Sequence, residues 1–397
     1  MDPISNPYSP GAGTMPPELA GRDDIRKRVR ICLARLVKGR SDKSILMVGL
    51  RGVGKTVLLD QMRRDAEAAG VHTIRIEAPE DRSLPAILAP QLRVALLRLS
   101  RIEAARVYAR RGLQALAGFV AALKFRFHDI EVGIDAEAVP GLADNGDLES
   151  DLSDLLQTAG EAAKNAGTAL VIFIDEMQYI HEAEFGALIA ALHRCNHHTL
   201  PLTVVGAGLP QLLARAGNAK SYAERLFDFP MIGALDDSAA TKAITKPATD
   251  EGVSFEDTAV HRIIEHTKGY PYFLQEWGKH SWDAADSSPI TLDDVESATA
   301  TAVAALDESF FRVRLDRLTP AEKRYMRAMA ELGPGPHRSG DIAEVLRQKV
   351  TSLGPTRNNL ISKGMVWSPS HGDTAFTVPL FDEFMRRIMP LEIGRET

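Results

Sequence analysis

Residues 49 to 56 read Gly49, Leu50, Arg51, Gly52, Val53, Gly54, Lys55, Thr56, the spacing G-x-x-x-x-G-K-T, directly after the apolar run Ile45 to Val48. Glycines at these places let the backbone turn tightly and point successive N–H groups at one anion, and a helix opening at Lys55 adds its positive N-terminal dipole. The chemistry is phosphate binding. Gly49, Leu50, Arg51, Gly52, Val53, Gly54, Lys55, Thr56 and Val57 are therefore the expected contacts to a nucleotide. Lys55 would serve a β/γ phosphate and Thr56 a magnesium ion.

A second group stands far along the chain, where the apolar run Ala169 to Ile174 ends in Asp175 and Glu176. A run apolar on both faces is the pattern of a central parallel strand, and carboxylates at its C-terminal end lie where ligands bind in open α/β sheets. Asp175 is expected to hold magnesium with Thr56, and Glu176 to polarise the attacking water. The plainer alternative is a pair of carboxylates capping the next helix. Cations with acids around a phosphate chain make Lys55 and Glu176 the candidate catalytic residues for hydrolysis.

These groups need a scaffold, and the chain supplies one by alternation. A helix from Asp23 or Asp24 to about Lys38 precedes the first strand. Strands at His72–Ile76, Ala169–Asp175, Leu202–Val205 and within Leu226–Ile232 alternate with helices, and a hairpin is expected over Lys124–Asp135. The expected fold is α/β, a doubly wound parallel-sheet P-loop NTPase core. Helices after Asp236 form a lid, and a long helix over Thr291–Arg314 forms a connector. At 397 residues more than one domain is required. The divisions expected are a flexible tail at 1–18, the core at 19–233, the lid at 234–290, the connector at 291–315 and a C-terminal domain at 316–397.

Taken together, the loop, the acidic pair, the strand before Gly206 and the lid with Gly269, Tyr270 and Pro271 resemble an AAA+ ATPase. The branch resembled is that of origin-recognition ATPases and STAND signalling ATPases, and the same pattern is similar to that of actinobacterial ATP-binding proteins. The resemblance implies ATP with Mg2+ as the nucleotide cofactors, with Arg22 beside adenine and Pro271 packed near the base. It also implies an arginine finger, for which Arg225 is the candidate; the alternative is a surface arginine paired with Glu224 or Asp228. Two features depart from the family. Gly206, Ala207 and Gly208 stand where a polar sensor follows the strand, leaving Thr203 or Gln211, and the nearest lid cation is Lys268. Slow hydrolysis is the expectation.

Beyond residue 316 three helices followed by a short hairpin resemble a winged helix-turn-helix. If this domain meets DNA, Thr351, Ser352, Thr356, Arg357 and Asn358 lie near bases or phosphates and His371 on the wing. Residues 316–390 carry 11 Lys/Arg against 8 Asp/Glu in a chain of net charge -6, a surplus compatible with that role and with a protein partner. The partners expected are ATP, double-stranded DNA, or further copies of the chain in an ATP-controlled oligomer. His193, Cys195, His197 and His198 do not share one helical face, which argues against zinc. Two cysteines exclude a disulfide scaffold and suit a reducing cytoplasm. No apolar run approaches membrane-spanning length, and the proline-rich start is unlike a signal peptide.

Overall fold

A computed structural model describes residues 1–11, 13–124, 127–130, 133 and 136–390. The chain forms two compact units. The first comprises Arg22–Val48 and Lys55–Met231, and the second Met1–Gly21, Gly49–Gly54 and the chain from Ile232 on.

In the first unit the order is α1 (Asp23–Val37), β1 (Ser44–Val48), α2 (Lys55–Ala68), β2 (His72–Glu77), α3 (Leu84–Leu99), α4 (Arg106–Leu123), α5 (Leu148–Asn165), β3 (Leu170–Asp175), α6 (Glu182–His197), β4 (Leu202–Gly208), α7 (Leu212–Ala219), α8 (Ala223–Leu226) and β5 (Phe227–Asp228). The five strands are parallel in the order β2-β3-β4-β1-β5. Every residue of β1, β3 and β4 is buried, as expected when helices cover both faces of a sheet. Because β4 lies between β1 and β3, the C-terminal ends of β1 and β3 flank that of β4.

Local chemistry fixes the long helices. Ser83 caps α3, and Asp129 in turn accepts from the Ser83 N–H at 2.8 Å and hydroxyl at 2.9 Å. The buried Glu184 carboxylate accepts from the Leu84 N–H at 2.9 Å, adding a second anion at the same helix start. The hairpin expected over Lys124–Asp135 falls largely outside the described residues. The two-residue β5 is the remnant of the strand expected within Leu226–Ile232.

In the second unit α9 (Asp237–Asp250), α10 (Asp257–Thr267), α11 (Pro271–Ala284) and α12 (Leu292–Leu306) precede α13 (Arg312–Asp316). The single helix expected over Thr291–Arg314 is broken by a π-helical turn at Asp307–Phe311. Phe310 and Phe311, at the end of this turn, are both buried. Phe310 stacks on Tyr272 at 4.7 Å and Phe311 on Phe384 at 5.0 Å.

The first residues do not extend as the flexible tail expected at 1–18. Tyr8 is buried and its hydroxyl donates to the Ile244 carbonyl, the Asn6 amide donates to Lys279 O at 3.0 Å, and the Trp282 indole donates to Asp2 O at 3.0 Å. The segment holds one short 3-10 turn, Pro3–Ser5, and both side chains and backbone groups anchor it.

The C-terminal part holds α14 (Pro320–Leu332), β6 (His337–Arg338), α15 (Ser339–Leu346), α16 (Val350–Ser362), β7 (Val366–Trp367), β8 (Asp373–Phe376) and α17 (Phe381–Ile388). An antiparallel sheet in the order β6-β8-β7 closes it, with β6 a strand that sequence patterning did not suggest. Thr319 and Glu322 form a capping box at α14, and Lys363 donates to Glu322 Oε2 at 2.7 Å. Burial would raise the Glu322 carboxyl, but the bonds from Lys363 and Thr319 outweigh it and hold the group below its ordinary value.

Glu322 therefore contributes stability that is present above its unfolded pKa and is lost as pH falls through its lower folded value. Lys363→Met should cost about 1–2 kcal/mol near neutral pH, discounted because Lys363 is 36% exposed. Urea unfolding of the full chain across the acid range should show the gap between wild type and variant closing as the carboxyl protonates.

Candidate functional site

The loop between β1 and α2 is held in its own unit by contacts on both sides. Its Gly52 and Gly54 have φ of +77° and +86°, a region open chiefly to glycine. The Gly52 carbonyl accepts from the Tyr272 N–H at 3.2 Å, in the first turn of α11, one residue after Pro271. The Arg51 N–H donates to the Thr377 carbonyl at 2.9 Å, just past β8. Gly52 also faces the Tyr272 and Phe310 side chains, to which a Cβ in its place would come within 3.5 Å. The expected loop contacts thus meet the residue after Pro271 and the residue after β8.

In the other unit α2 opens at Lys55, whose side chain is buried, and continues through Thr56 and the half-buried Val57. Asp175 is 2% exposed at the end of β3. Burial pushes its carboxyl up, opposed by a hydrogen bond from the Thr56 hydroxyl and by the nearby Lys55 charge. So Lys55, Thr56 and Asp175 are brought together across the end of β4. A carboxylate held this dry, beside a hydroxyl and one ammonium, is suited to a small hard cation, and this donor set fits Mg2+.

Glu176 follows in a left-handed conformation, φ +52° and ψ 37°, its N–H donating to Asp175 Oδ1 at 2.9 Å. That turn separates the two carboxylates, leaving Glu176 half-exposed while Asp175 stays buried.

Gln178 is the residue that sequence reasoning missed. Its side-chain amide donates to the Glu176 carboxylate, and its Oε1 accepts from the Leu209 N–H at 3.0 Å, just after β4. It crosses the end of β4 where the sequence offers only Gly206, Ala207 and Gly208. The reason for glycine there is space: a Cβ on Gly206 would stand 2.1 Å from Met177 Sδ and 2.7 Å from Leu46 Cδ2. The absent polar group on β4 and the polar side chain arriving from β3 are two consequences of one packing arrangement. The available signal was Gln178 two residues beyond an acidic pair. Arg215 fixes this turn by donating to the carbonyls of Gln178 and Ile180, and burial pushes its pKa down.

Other expected residues stand apart. Thr203 bonds Ser44 at 2.9 Å at the opposite end of the sheet, away from Asp175. Arg22 is half-buried at the start of α1. Arg225 is exposed, and Asp228, its suggested partner, is paired with Arg28. Lys268 caps α10 in a left-handed conformation and is exposed. Of the candidate DNA contacts, Thr351, Ser352 and Asn358 are exposed on α16 and Thr356 is half-buried, with His371 exposed in the β7–β8 turn. Arg357 turns inward, donating to Thr374 Oγ1 at 2.8 Å, Ser368 Oγ at 2.7 Å and Asp373 O at 2.8 Å.

Residues 18–205 match the family model described as AAA ATPase domain, and residues 308–385 match one described as domain of unknown function (DUF8462). A curated relative, an uncharacterized HTH-type transcriptional regulator of Methanocaldococcus jannaschii, is 23% identical over 237 residues, 58% of this chain. The match spans only 56% of that relative's length. Among solved structures, a Walker-type ATPase of Pyrococcus abyssi aligns over 94% of this chain and 97% of its own with TM-score 0.58 and 14% identity. The Aeropyrum pernix ORC1 protein in complex with DNA aligns over 94% of each chain with TM-score 0.46 and 15% identity. Sheet order and loop make the core a P-loop NTPase α/β fold, and the AAA ATPase domain model is what residues 18–205 of it resemble.

Lys55→Ala should weaken ATP binding about 10- to 100-fold, read by fluorescent-nucleotide titration. For Asp175 the sign is opposite to the Glu322 case. Its raised folded pKa gives stability that is present below the unfolded pKa and lost as pH rises, so ionised Asp175 burdens the nucleotide-free protein near pH 7. Asp175→Asn should therefore raise the thermal midpoint of the free protein at pH 7, with the advantage shrinking in acid, while removing the Mg2+ dependence of ATP binding.

Proposed function

We propose that the protein is a slowly hydrolysing AAA+ ATPase that acts as a switch, coupling ATP state to a C-terminal winged-helix domain that binds DNA. The observation carrying this reading is the pair of backbone hydrogen bonds on the phosphate loop, Tyr272 N–H to Gly52 O and Arg51 N–H to Thr377 O. Because these bonds tie the loop to Tyr272 and Thr377, a change of the loop around phosphate that breaks either one would be felt in the C-terminal part.

The reaction is ATP plus water to ADP plus phosphate. Lys55 and the loop amides bind the phosphate chain, and Thr56 and Asp175 would hold Mg2+, which when bound would supply charge neutralisation. Glu176 orients the attacking water, with Gln178 fixing the carboxylate that does so. Arg22 and Pro271 stand for the base end, and Arg225 for a finger offered to a neighbouring copy. Slow turnover is inferred from the glycines at the end of β4 and the exposed Lys268.

For DNA, α16 would be the recognition helix, presenting Thr351, Ser352, Thr356 and Asn358, with His371 on the wing. Arg357 would then brace the wing. The HTH-type description of the Methanocaldococcus relative supports this direction. A second reading has one observation in its favour. Since the guanidinium of Arg357 is spent on the wing, the module suits protein contacts equally well, as in a STAND-like signalling ATPase whose oligomerisation ATP controls. Buried thiols, Cys32 and Cys195 both pushed up to about 12 by desolvation, suit a cytoplasmic setting.

Gel-shift titration of duplex DNA with no nucleotide, ADP, ATP and ATP plus the Glu176→Gln variant tests the first reading. The expected result is at least about a fivefold change in DNA affinity between ADP and ATP states, the usual lower range of a coupling energy. Equal affinity in all states, or no binding at low salt, would sink it. Nucleotide-dependent growth in mass by light scattering, without DNA binding, would favour the second.

A further inference from the structure

The strongest charge anomaly in the chain lies away from the C-terminal domain. Residues 82–124 carry seven arginines and one lysine against a single acid, Glu103, in a protein of net charge -6. They build α3 and α4, which pack together in the nucleotide-binding unit. Arg98 and Arg101 sit at the end of α3 and just beyond, and Arg106, Arg110 and Arg111 at the start of α4, so all five gather at one corner and all are exposed.

Compensation is nearly absent there. Arg106 pairs with Glu103 at 2.6 Å, and no ion pair involves Arg98, Arg101, Arg110 or Arg111 among the described residues. The acids of the following loop, Glu137, Asp144 and Asp147, and Asp151 at the start of α5, form no ion pair with Arg98, Arg101, Arg110 or Arg111 among the described residues. Asp144 accepts from the Gly141 N–H at 3.0 Å, and Asp151 from the Asn145 and Gly146 N–H groups at 2.9 and 2.8 Å. An open groove of about 660 Å³ runs beside the arginines, lined by Arg106, Arg110, Arg111 and Gln114 on one side and Pro140 and Gly141 on the other.

We propose that this α3–α4 corner is an interaction surface for the phosphate backbone of a nucleic-acid duplex. Charge complementarity names a polyanion. Arginine in place of lysine favours phosphate, because the planar guanidinium meets two oxygens at once. Single strands are less well served, since Tyr108 is the one exposed aromatic ring of the described α3–α4 pair and stacking platforms need several. A lipid surface would call for Trp or Phe beside the cations, whereas the exposed apolar residues here are Val94, Leu97 and Val107. The contact carries no base reading and would add affinity whatever the C-terminal domain recognises.

The test uses the full chain, a duplex of arbitrary sequence and fluorescence anisotropy from about 50 to about 200 mM salt. Replacing Arg98, Arg101, Arg110 and Arg111 by Gln should lower affinity at least tenfold at the low end. It should also flatten the slope of log K against log salt by about 3 to 4, near 0.9 per lost phosphate contact. Replacing the same four by Lys should restore most of the slope. Unchanged ATP affinity and melting temperature would certify the fold; should the fourfold variant misfold, Arg110→Gln with Arg111→Gln should give about half the slope change. Unaltered affinity and slope would overturn the proposal, as would arginine-dependent binding to phosphatidylserine vesicles without duplex binding. Loss of duplex binding in a Thr351→Ala, Asn358→Ala variant, with the arginine variants normal, would overturn it too while leaving the winged-helix reading intact.

Discussion

A phosphate loop depends on where its backbone amides and carbonyls point, and in this protein two of those groups are already committed. Arg51 gives its N–H to Thr377 and Gly52 lends its carbonyl to Tyr272. Each bond contributes on the order of 1 kcal/mol net, small beside nucleotide binding yet comparable to typical coupling energies. The constraint reaches further through side chains. Tyr272 stacks on Phe310, Phe310 meets Phe311 at 5.3 Å, and Phe311 packs on Phe381 and Phe384 of the last helix. A contiguous aromatic row therefore links the loop to α17, and Phe310 and Phe311 join it from the π-helical turn.

The chemistry of the site rests on a second constraint, the dryness around Asp175. A carboxylate 2% exposed is poorly stabilised as an anion without a cation, which biases the site toward metal and nucleotide. The same close packing removed side chains from the end of β4 and brought Gln178 over from the strand next to it. Glu176 is thereby anchored through Gln178 to the N–H after β4, which ties the turn carrying the acids to the neighbouring strand.

Much of this was legible in the sequence because it is local or periodic. The loop spacing, the wholly apolar β3 ending in Asp175 and the final helix Phe381–Ile388 all stand where periodicity placed them. What escaped depends on contacts between distant segments. The strap at Tyr8 is held by a hydroxyl bond to Ile244, β6 is two residues long and exists only by pairing with β8, and Gln178 gains meaning from a glycine nearly thirty residues later. Arg357 reads as a free cation in the sequence, and only the folded β7–β8 hairpin shows its three partners. The break at Asp307–Phe311 likewise leaves no mark in the helical pattern of the sequence.

The most direct measurement of the coupling is amide hydrogen exchange on the full chain with and without ATP and Mg2+. If the loop and the C-terminal part share an energy, protection should change at Arg51 and, together with it, across residues 364–378, including the peptide at Thr377. Changes confined to Lys55, Thr56 and the Asp175 turn, with residues 364–378 identical in both states, would contradict it.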